Sequence, residues 1–329
     1  MTFTSQPDQT HSPVEVKSKT VDAMGSTGLG HIRPEALEGL SAESMMCLEN
    51  FARYQTEPVA DYGKVRQAAV LVALFQKEGD DKLHVLLTTR AKTLRRHPSQ
   101  TALPGGKVDP EDPDVVHTAR REAYEEVNLP LDHPDIHHLA ILEPVMTILP
   151  LNALMRNHII VTPVVCFISS PSLLEGLSPN PDEVDAIFTY PLKGCLTGTL
   201  NGEDAVGLSE AGEEWWPHEE EYHSTHDRIG ATGGYRMHRF RTTRTPIKGL
   251  TSDVLIQTAM VAYGRSTSFD RYAPNQELFP VLIADIVRQL PEWLEKESLN
   301  AGSSKEVKVV EWGGTEGERY KCTETWATA

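Results

Sequence analysis

Cysteine is scarce in this chain, and its placement excludes two kinds of structural cross-link. The 329 residues include four cysteines, and no two of them have CxxC spacing. This pattern predicts neither a disulfide framework nor a structural zinc site. It fits a reducing, intracellular compartment, in which free thiols persist.

Long apolar runs and an excess of positive charge are absent as well. The longest apolar stretches, residues 68–75 and 159–168, are only as long as strands, whereas a membrane-spanning helix needs roughly 20 apolar residues. We therefore expect no membrane segment. The 31 Lys and Arg residues are outnumbered by 47 Asp and Glu, which leaves a formal net charge of -16. Because this charge repels polyanions, we expect no nucleic-acid partner, and a phosphate-bearing ligand would need a local basic patch or a metal ion.

Composition divides the chain into three parts. Residues 1–33 contain few large apolar side chains and much Ser, Thr, Pro and Gly, which predicts a disordered tail. Residues 34–298 alternate between strand and helix patterns, which predicts one layered α/β domain. Within it, residues 197–234 are acidic and Gly-rich, and we expect a long surface insertion without a core of its own. Residues 299–329 are expected to be loosely ordered, apart from a candidate edge strand at 307–312.

The periodicity of apolar residues predicts the individual elements. Alternation and buried runs predict strands at 66–75, 83–89, 136–145, 159–168, 186–191 and 236–242. Spacings of three and four residues predict helices at 36–54, 114–127, 253–263 and 277–296. Ser41 is a candidate cap of the first helix. The Lys-Glu-Gly-Asp-Asp turn between the first two strands is typical of a hairpin.

The helix predicted at 114–127 carries a cluster of acidic residues. Glu122, Glu125 and Glu126 occupy positions i, i+3 and i+4, which lie on one helix face and bring their carboxylates together. A divalent cation such as Mg²⁺ removes the repulsion, because it binds carboxylates together with phosphate oxygens and water. Arg121 precedes the three glutamates and can hold one carboxylate in a two-pronged contact. A solvated acidic face with an intrahelical Arg–Glu pair is the alternative.

The segment before this helix concentrates positive charge in an otherwise acidic protein. Its basic residues and the glutamine that follows them are Arg90, Lys92, Arg95, Arg96, His97 and Gln100. Gly105 and Gly106 come next, and glycine allows the tight bend that leads towards the helix. An ordinary exposed loop is the alternative, but the position directly before the acidic helix favours phosphate binding.

Two adjacent segments resemble a known family. Residues 105–129 begin with Gly-Gly, contain the run Arg-Glu-Ala-Tyr-Glu-Glu, and resemble the Nudix box. Residues 86–106 resemble the segment that marks the coenzyme A diphosphatase branch, through Leu-Leu-Thr, Leu-Arg, His, Gln and Pro-Gly-Gly at matching positions. Residues 161–165, 180–185 and 246–251 are similar to the longer fungal form of this branch.

The match departs from the Nudix box at two places. The loop before the helix has one extra residue, so Gly106 is the equivalent of the box glycine, and either Glu111 or Asp112 is the equivalent of its first glutamate. Asn128 stands where the box has a second glycine. Asparagine tolerates the left-handed conformation that ends a helix, so we expect the turn to be preserved.

The resemblance implies a Nudix fold, in which a mixed β-sheet is sandwiched between helices (α/β/α), and a metal-dependent hydrolase. It implies Mg²⁺ or Mn²⁺ bound by Glu122, Glu125 and Glu126, with Arg121, Glu122 and Glu125 as catalytic residues. One of these carboxylates, or Glu183, would accept the proton of the attacking water. The residues expected to bind substrate are Arg90, Arg95, Arg96, His97, Gln100, Gly105 and Gly106.

The branch implies a small-molecule substrate, coenzyme A or a derivative, cut at its diphosphate into 4'-phosphopantetheine and adenosine 3',5'-bisphosphate. We hypothesise that Arg95 or Arg96 contacts either its 3'-phosphate or its diphosphate. The alternatives are another nucleoside diphosphate derivative, an oxidised nucleotide such as 8-oxo-dGTP, or a catalytically silent Nudix module that only binds. We expect an intracellular, cytoplasmic protein. Family members often act in peroxisomes, so the resemblance leaves a peroxisomal location as the alternative, although the chain ends in Ala-Thr-Ala rather than Ser-Lys-Leu.

Replacing either Glu125 or Glu126 by Gln tests the predicted metal ligands. The change keeps the shape of the side chain and removes its charge, so turnover should fall by at least about a hundredfold, the scale of losing a metal or electrostatic contact. Stability of the metal-free protein should not fall, since like charges on one helix face repel each other. Near-normal rates of both variants at saturating Mg²⁺ would contradict the assignment.

Overall fold

Strand β1 (Arg66–Gln76) lies at the centre of the main sheet in the computed structural model, which describes residues 28–56 and 61–303. It pairs in parallel with β7 (Ile159–Ile168) and antiparallel with β2 (Leu83–Arg90). The tight turn between β1 and β2 includes a hydrogen bond from Asp80 N to Lys77 O at 3.1 Å, so the predicted hairpin is confirmed. The parallel and antiparallel neighbours together make a mixed sheet.

The remaining strands extend this sheet on both sides of β1. They are β3 (Thr101–Ala102), β4 (Gly105–Lys107), β5 (Ile136–Ile141), β6 (Val145–Met146) and β8 (Val184–Pro191). The main path of the eight-stranded sheet has the order β3-β2-β1-β7-β5, while β4 pairs with β1, β6 with β7 and β8 with β2. The strand predicted at 136–145 was too long, because the chain leaves β5 after Ile141 and pairs again only as β6.

Helices cover both faces of this sheet. They are α1 (Ala42–Arg53), α2 (Val115–Val127), α3 (Pro171–Glu175), α4 (Gly194–Thr197), α5 (Leu250–Tyr263) and α6 (Phe279–Ser303). Leu71 and Ala73 of β1 pack with Ala123 of α2, whereas Val72 and Leu74 belong to the core that contains α1, α5 and α6. Because side chains alternate along a strand, β1 serves two cores. The predicted α/β/α arrangement is confirmed.

The ends of α2 follow from local sequence. The carboxylate of Asp114 accepts a hydrogen bond from His117 N at 2.8 Å, which caps the start of the helix. Asn128 ends the helix with φ 58° and ψ 29°, the left-handed conformation predicted for it. Ser41 caps α1 as predicted, although that helix begins at Ala42 rather than at residue 36. None of the described helices is both long enough and apolar enough to cross a membrane.

The predicted tails are shorter than expected where the structure describes them. Leu29 and Ile32 are buried in the core with α1 and α5, and Arg33 forms an ion pair with Asp135. The packed region therefore includes residues 28–33, which their polar composition had assigned to a tail. At the other end, α6 continues to Ser303, past the predicted boundary at 298. Residues 1–27 and the candidate strand 307–312 lie outside the described residues.

The predicted insertion, residues 197–234, ends within a second sheet. Strands β9 (His223–Gly230), β10 (Gly233–Phe240) and β11 (Ile247–Lys248) pair antiparallel in the order β11-β10-β9. Trp216 is fully buried at 0% exposure and donates from Nε1 to Glu220 O at 2.6 Å. Leu200 of the same segment joins the main core. The segment is therefore more ordered than its polar composition predicted, because a buried aromatic side chain contributes enough packing to order the chain around it.

The neighbouring tryptophans offer a matched test of this packing. Trp216→Ala removes a buried ring and should lower the free energy of unfolding by about 3 to 5 kcal/mol. Trp215, which is 41% exposed, should cost less than about 1 kcal/mol when changed to Ala. Chemical denaturation of the two variants measures both values. Equal losses would show that Trp216 contributes no more packing than its exposed neighbour.

Candidate active site

The Pro-Gly-Gly turn brings the acidic helix against the sheet. Gly105 pairs with Val70 in β1, and a Cβ atom at Gly105 would lie 2.4 Å from Ala69 O. A Cβ atom at Gly106 would lie 2.4 Å from the carboxyl carbon of Glu122. Glycine is therefore required twice, once for the approach of two strands and once to leave room for a carboxylate.

Arg121 is held by a buried ion pair with Asp112. Its Nε and Nη2 donate to the two carboxylate oxygens of Asp112, each at 3.0 Å, and the Asp112 side chain is 2% exposed. Thr118 Oγ1 also donates to it at 2.8 Å. The Arg121 guanidinium holds the pKa of Asp112 well below its usual range. Asp112, and not the exposed Glu111, therefore pairs with Arg121, which decides an alternative that spacing left open.

The same guanidinium orients two of the predicted ligands. Arg121 Nη1 donates to Glu122 Oε1 at 3.1 Å and to Glu125 Oε2 at 3.2 Å. Glu122 is the more deeply placed of the two, and burial raises its pKa above the usual value. Each glutamate accepts one charge-assisted hydrogen bond through one oxygen, which orients the carboxylate and leaves its other oxygen available.

Glu126 faces the sheet rather than solvent. Glu126 is only 5% exposed. Among the described residues, its carboxylate accepts one hydrogen bond, a long contact from Gly105 N at 3.4 Å. Burial, and then the charge of Glu122, raise the pKa of Glu126 to about 8. The charge of Arg90 acts in the opposite direction. A buried carboxyl with so little compensation would gain from a cation placed beside it.

The loop 178–183 adds one more carboxylate. Asn180 N donates to Glu126 O at 2.9 Å and Ser178 N donates to Val127 O at 3.1 Å, which ties the loop to the end of α2. Ala91 N donates to Glu183 O at 2.8 Å, which ties it to the end of β2. The charge of Glu183 raises the pKa values of both Glu122 and Glu126. The loop thus holds Glu183 close to the acidic helix, which is the position that its candidate role as proton acceptor requires.

The donor set of α2 fits a divalent cation. Carboxylate oxygens are the ligands that Mg²⁺ and Mn²⁺ prefer, and the space opposite Glu122 at Gly106 is kept free of a side chain. Among the described residues, however, the acidic and histidine side chains whose ligand atoms all lie within 4.8 Å of one another are not these glutamates. They are Asp80, His84 and Asp204.

The Asp80 cluster has its own cation in the form of a lysine. Lys82 Nζ lies 2.9 Å from Asp80 and 3.3 Å from Asp204. His84 is near the first residue of β2, whereas Arg90, the basic residue that acts on Glu126, is the last. This ion-pair network therefore stabilises the far end of the strand and gives no support to a metal site there.

The basic loop is divided between exposed residues and residues that reach the site. Arg90 N donates to Gln100 O at 2.9 Å and Ser99 N donates to Arg90 O at 3.1 Å, so these residues extend β2 towards β3. Arg95, Arg96 and His97 are exposed. Their binding role stays a prediction.

A cavity of about 660 Å³ opens beside Gln100, between the basic loop and the second sheet. Its lining includes four basic side chains, an amide and an indole: Lys92, Arg239, Arg244, Lys248, Gln100 and Trp215. Arg95, Arg96 and His97 do not line it. Sequence reasoning missed Arg239 and Arg244, which lie outside the segments that resemble the family, and it assigned no role to Lys248, although residues 246–251 belong to such a segment.

The pair of candidates Asp112 and Glu111 offers a matched test of the site. Asp112→Asn weakens the contact with Arg121 and should lower the free energy of unfolding by about 1.5 to 3 kcal/mol, the scale of a hydrogen bond to a charged group. Turnover should fall about ten- to a hundredfold, because Arg121 would no longer fix the glutamates. Glu111→Gln should change stability by less than about 0.5 kcal/mol. Denaturation and rate measurements on both variants check this, and equal effects would refute the assignment.

Comparison with known proteins agrees with this geometry. The NUDIX domain family matches residues 65–230. The mitochondrial Nudix hydrolase 15 of Arabidopsis thaliana is 33% identical over 228 residues, which cover 69% of this chain and 68% of the relative. The mitochondrial coenzyme A diphosphatase NUDT8 of Mus musculus is 36% identical over 165 residues (48% of this chain, 69% of the relative).

A second mouse protein, the peroxisomal coenzyme A diphosphatase NUDT7, is 31% identical over 212 residues, which cover 64% of this chain and 77% of the relative. The Nudix box, the acidic helix and the mixed sheet thus occur together with a family match over the same residues. Nudix hydrolases generally use divalent metal ions. This chain belongs to the Nudix hydrolase family.

Proposed function

We propose that this enzyme hydrolyses the diphosphate linkage of coenzyme A and its derivatives, with 4'-phosphopantetheine and adenosine 3',5'-bisphosphate as products. The observation that carries the proposal is the convergence of Glu122, Glu126 and Glu183 beside Arg90, next to a cavity rich in basic side chains. Two relatives named as coenzyme A diphosphatases support the choice of substrate. We expect the protein to act inside the cell, as the names of these relatives imply for them.

Glu122, Glu125 and Glu126 are the residues that would hold the metal. A bound divalent ion polarises phosphoryl oxygens and lowers the pKa of an attacking water. Arg121 positions Glu122 and Glu125 through its Nη1 contacts. The proton of the attacking water goes to one of these carboxylates or to Glu183, which lies on a loop tied to both α2 and β2.

Arg90 supplies positive charge on the same side of the sheet as Glu126. Its Nε is buried without a hydrogen-bond partner, and a buried guanidinium nitrogen left unpaired costs free energy that a ligand oxygen would recover. We assign Arg90 to the diphosphate, where it would offset the charge that develops on the oxygens around phosphorus.

Product analysis tests the proposed reaction directly. Purified protein incubated with coenzyme A and Mg²⁺ or Mn²⁺ should yield the two named products in equal amounts, measured by liquid chromatography with mass detection. In water enriched in heavy oxygen, the label should enter one product phosphate, because water attacks phosphorus. Glu126→Gln, prepared in parallel, should form neither product at a comparable rate.

The choice of substrate is tested by a panel in the same assay. ADP-ribose and 8-oxo-dGTP should be hydrolysed with a lower kcat/KM than coenzyme A. A higher kcat/KM for either compound would replace coenzyme A as the substrate while leaving a working Nudix hydrolase. Absence of product from every compound, with tight binding of one of them, would indicate a module that binds without hydrolysis.

A further inference from the structure

Two basic residues of the second sheet lie directly opposite each other. Arg239 of β10 and Lys248 of β11 are paired in register, and both are half-buried. Like charges directly opposite on neighbouring strands destabilise a sheet. This pair is therefore unfavourable in the protein alone.

Neither residue of the pair forms an ion pair within the described chain. None of the ion pairs in residues 28–56 and 61–303 includes Arg239 or Lys248, and Glu220 acts on Arg239 only from beyond ion-pair distance. Burial, and then the charge of Arg239, lower the pKa of Lys248. Burial and the charge of Arg228 lower the pKa of Arg239. Two uncompensated cations that are partly removed from water need an anion.

Further basic groups line the same cavity. Arg244 and Lys92 face it together with the Arg239–Lys248 pair, and its acidic residues, Asp185 and Glu214, are both exposed. In a chain with a formal net charge of -16, this grouping makes a local positive site of the kind that attracts phosphate.

The cavity wall is attached to the strand that leads into the Nudix box. Thr101 Oγ1 in β3 donates to Thr245 O, and Thr251 Oγ1 donates to Thr101 O at 3.4 Å. Gln100, which lines the cavity, accepts a backbone hydrogen bond from Arg90 N. The basic cavity is therefore held next to the residues that face Glu126, within one rigid framework of strands.

Trp215 supplies an aromatic surface at this cavity. It is 41% exposed, whereas the adjacent Trp216 is fully buried and anchors the segment. An exposed indole held by a buried neighbour presents a flat face on which a nucleobase can stack.

We propose that this cavity binds the part of the substrate that carries a second, unhydrolysed phosphate: Arg239 and Lys248 contact a nucleotide phosphomonoester, and Trp215 stacks on its base. In coenzyme A this group is the 3'-phosphate. The proposal rests on the proposed function and adds the residues that select the substrate. Arg95 and Arg96 are not required for the 3'-phosphate, since they do not line the cavity.

Kinetics with two substrates test this assignment. Arg239→Gln and Lys248→Met should each lower kcat/KM for coenzyme A by about ten- to a hundredfold, the scale of one charge-assisted contact. Their kcat/KM for dephospho-coenzyme A, which lacks the 3'-phosphate, should stay within about twofold of the wild type. Arg288→Gln on the surface of α6 removes the same charge away from the cavity and should leave both values unchanged.

Binding and melting measurements separate ligand contact from a structural role. Wild-type protein without divalent metal should bind adenosine 3',5'-bisphosphate more tightly than adenosine 5'-monophosphate, and the variants should lose this difference. Lys248→Glu places an opposite charge beside Arg239, so it should raise the melting temperature of the ligand-free protein while abolishing the preference. A merely structural lysine would instead give a lower melting temperature and an unchanged preference.

The outcomes distinguish the proposed function from the assignment of the cavity. Wild-type protein that binds the bisphosphate preferentially but does not hydrolyse coenzyme A would refute the proposed function and leave the cavity assignment standing. Equal losses for coenzyme A and dephospho-coenzyme A in the variants would overturn the cavity assignment, because the contact would then be to the diphosphate. Equal affinity of the wild type for the two nucleotides would overturn it as well.

Discussion

The ion pair between Arg121 and Asp112 is the contact on which the geometry of the active site depends. It joins the loop after β4 to the middle of α2 through two parallel hydrogen bonds of 3.0 Å. With its Nε and Nη2 held there, the guanidinium presents Nη1 to Glu122 and Glu125. One buried carboxylate thus positions two others, and the charge of Arg121 offsets part of the repulsion among them.

Close packing between helix and sheet explains the burial and the raised pKa of the acidic groups. The two glycines of the turn let β4 approach β1 and let Glu122 lie against the backbone. The same closeness buries Glu126 and raises its pKa to about 8. The arrangement is costly for the protein alone, and the proposed cation would offset this cost, as is common where local rules of stability are broken at functional sites.

The second sheet also places like charges close together, but these charges are positive. Arg239 and Lys248 lie across from each other, and neither forms an ion pair among the described residues, whereas the glutamates of α2 lie close together on one helix face. The protein therefore has an acidic site and a basic cavity side by side, connected through β3 and the residues around Arg90. A divalent cation held by the acidic site would attract the diphosphate of the proposed substrate, and the basic cavity would attract its separate phosphomonoester.

Local sequence determined much of this protein. Interactions between residues a few positions apart produce the hairpin of β1 and β2 and the caps of α2 at Asp114 and Asn128. Helical spacing likewise places the glutamates on one face of α2. Such interactions are encoded by periodicity, capping and turn preferences, which is why the hairpin, the helix and its end at Asn128 were predicted with small errors in their bounds. The family resemblance rests on the same continuous segments.

Tertiary structure alone decided the rest. Composition does not encode which surfaces meet. That contact between surfaces decides the pairing of Arg121 with Asp112 rather than Glu111, the approach of Glu183 to α2, and the burial of Leu29 and Trp216. The basic cavity joins Gln100 to Arg239 and Lys248, residues that share no motif and no periodicity. Their proximity arises because Thr245, which precedes β11, hydrogen-bonds to Thr101 in β3. This contact joins segments distant in sequence, and packing energy summed over a whole core sets such contacts.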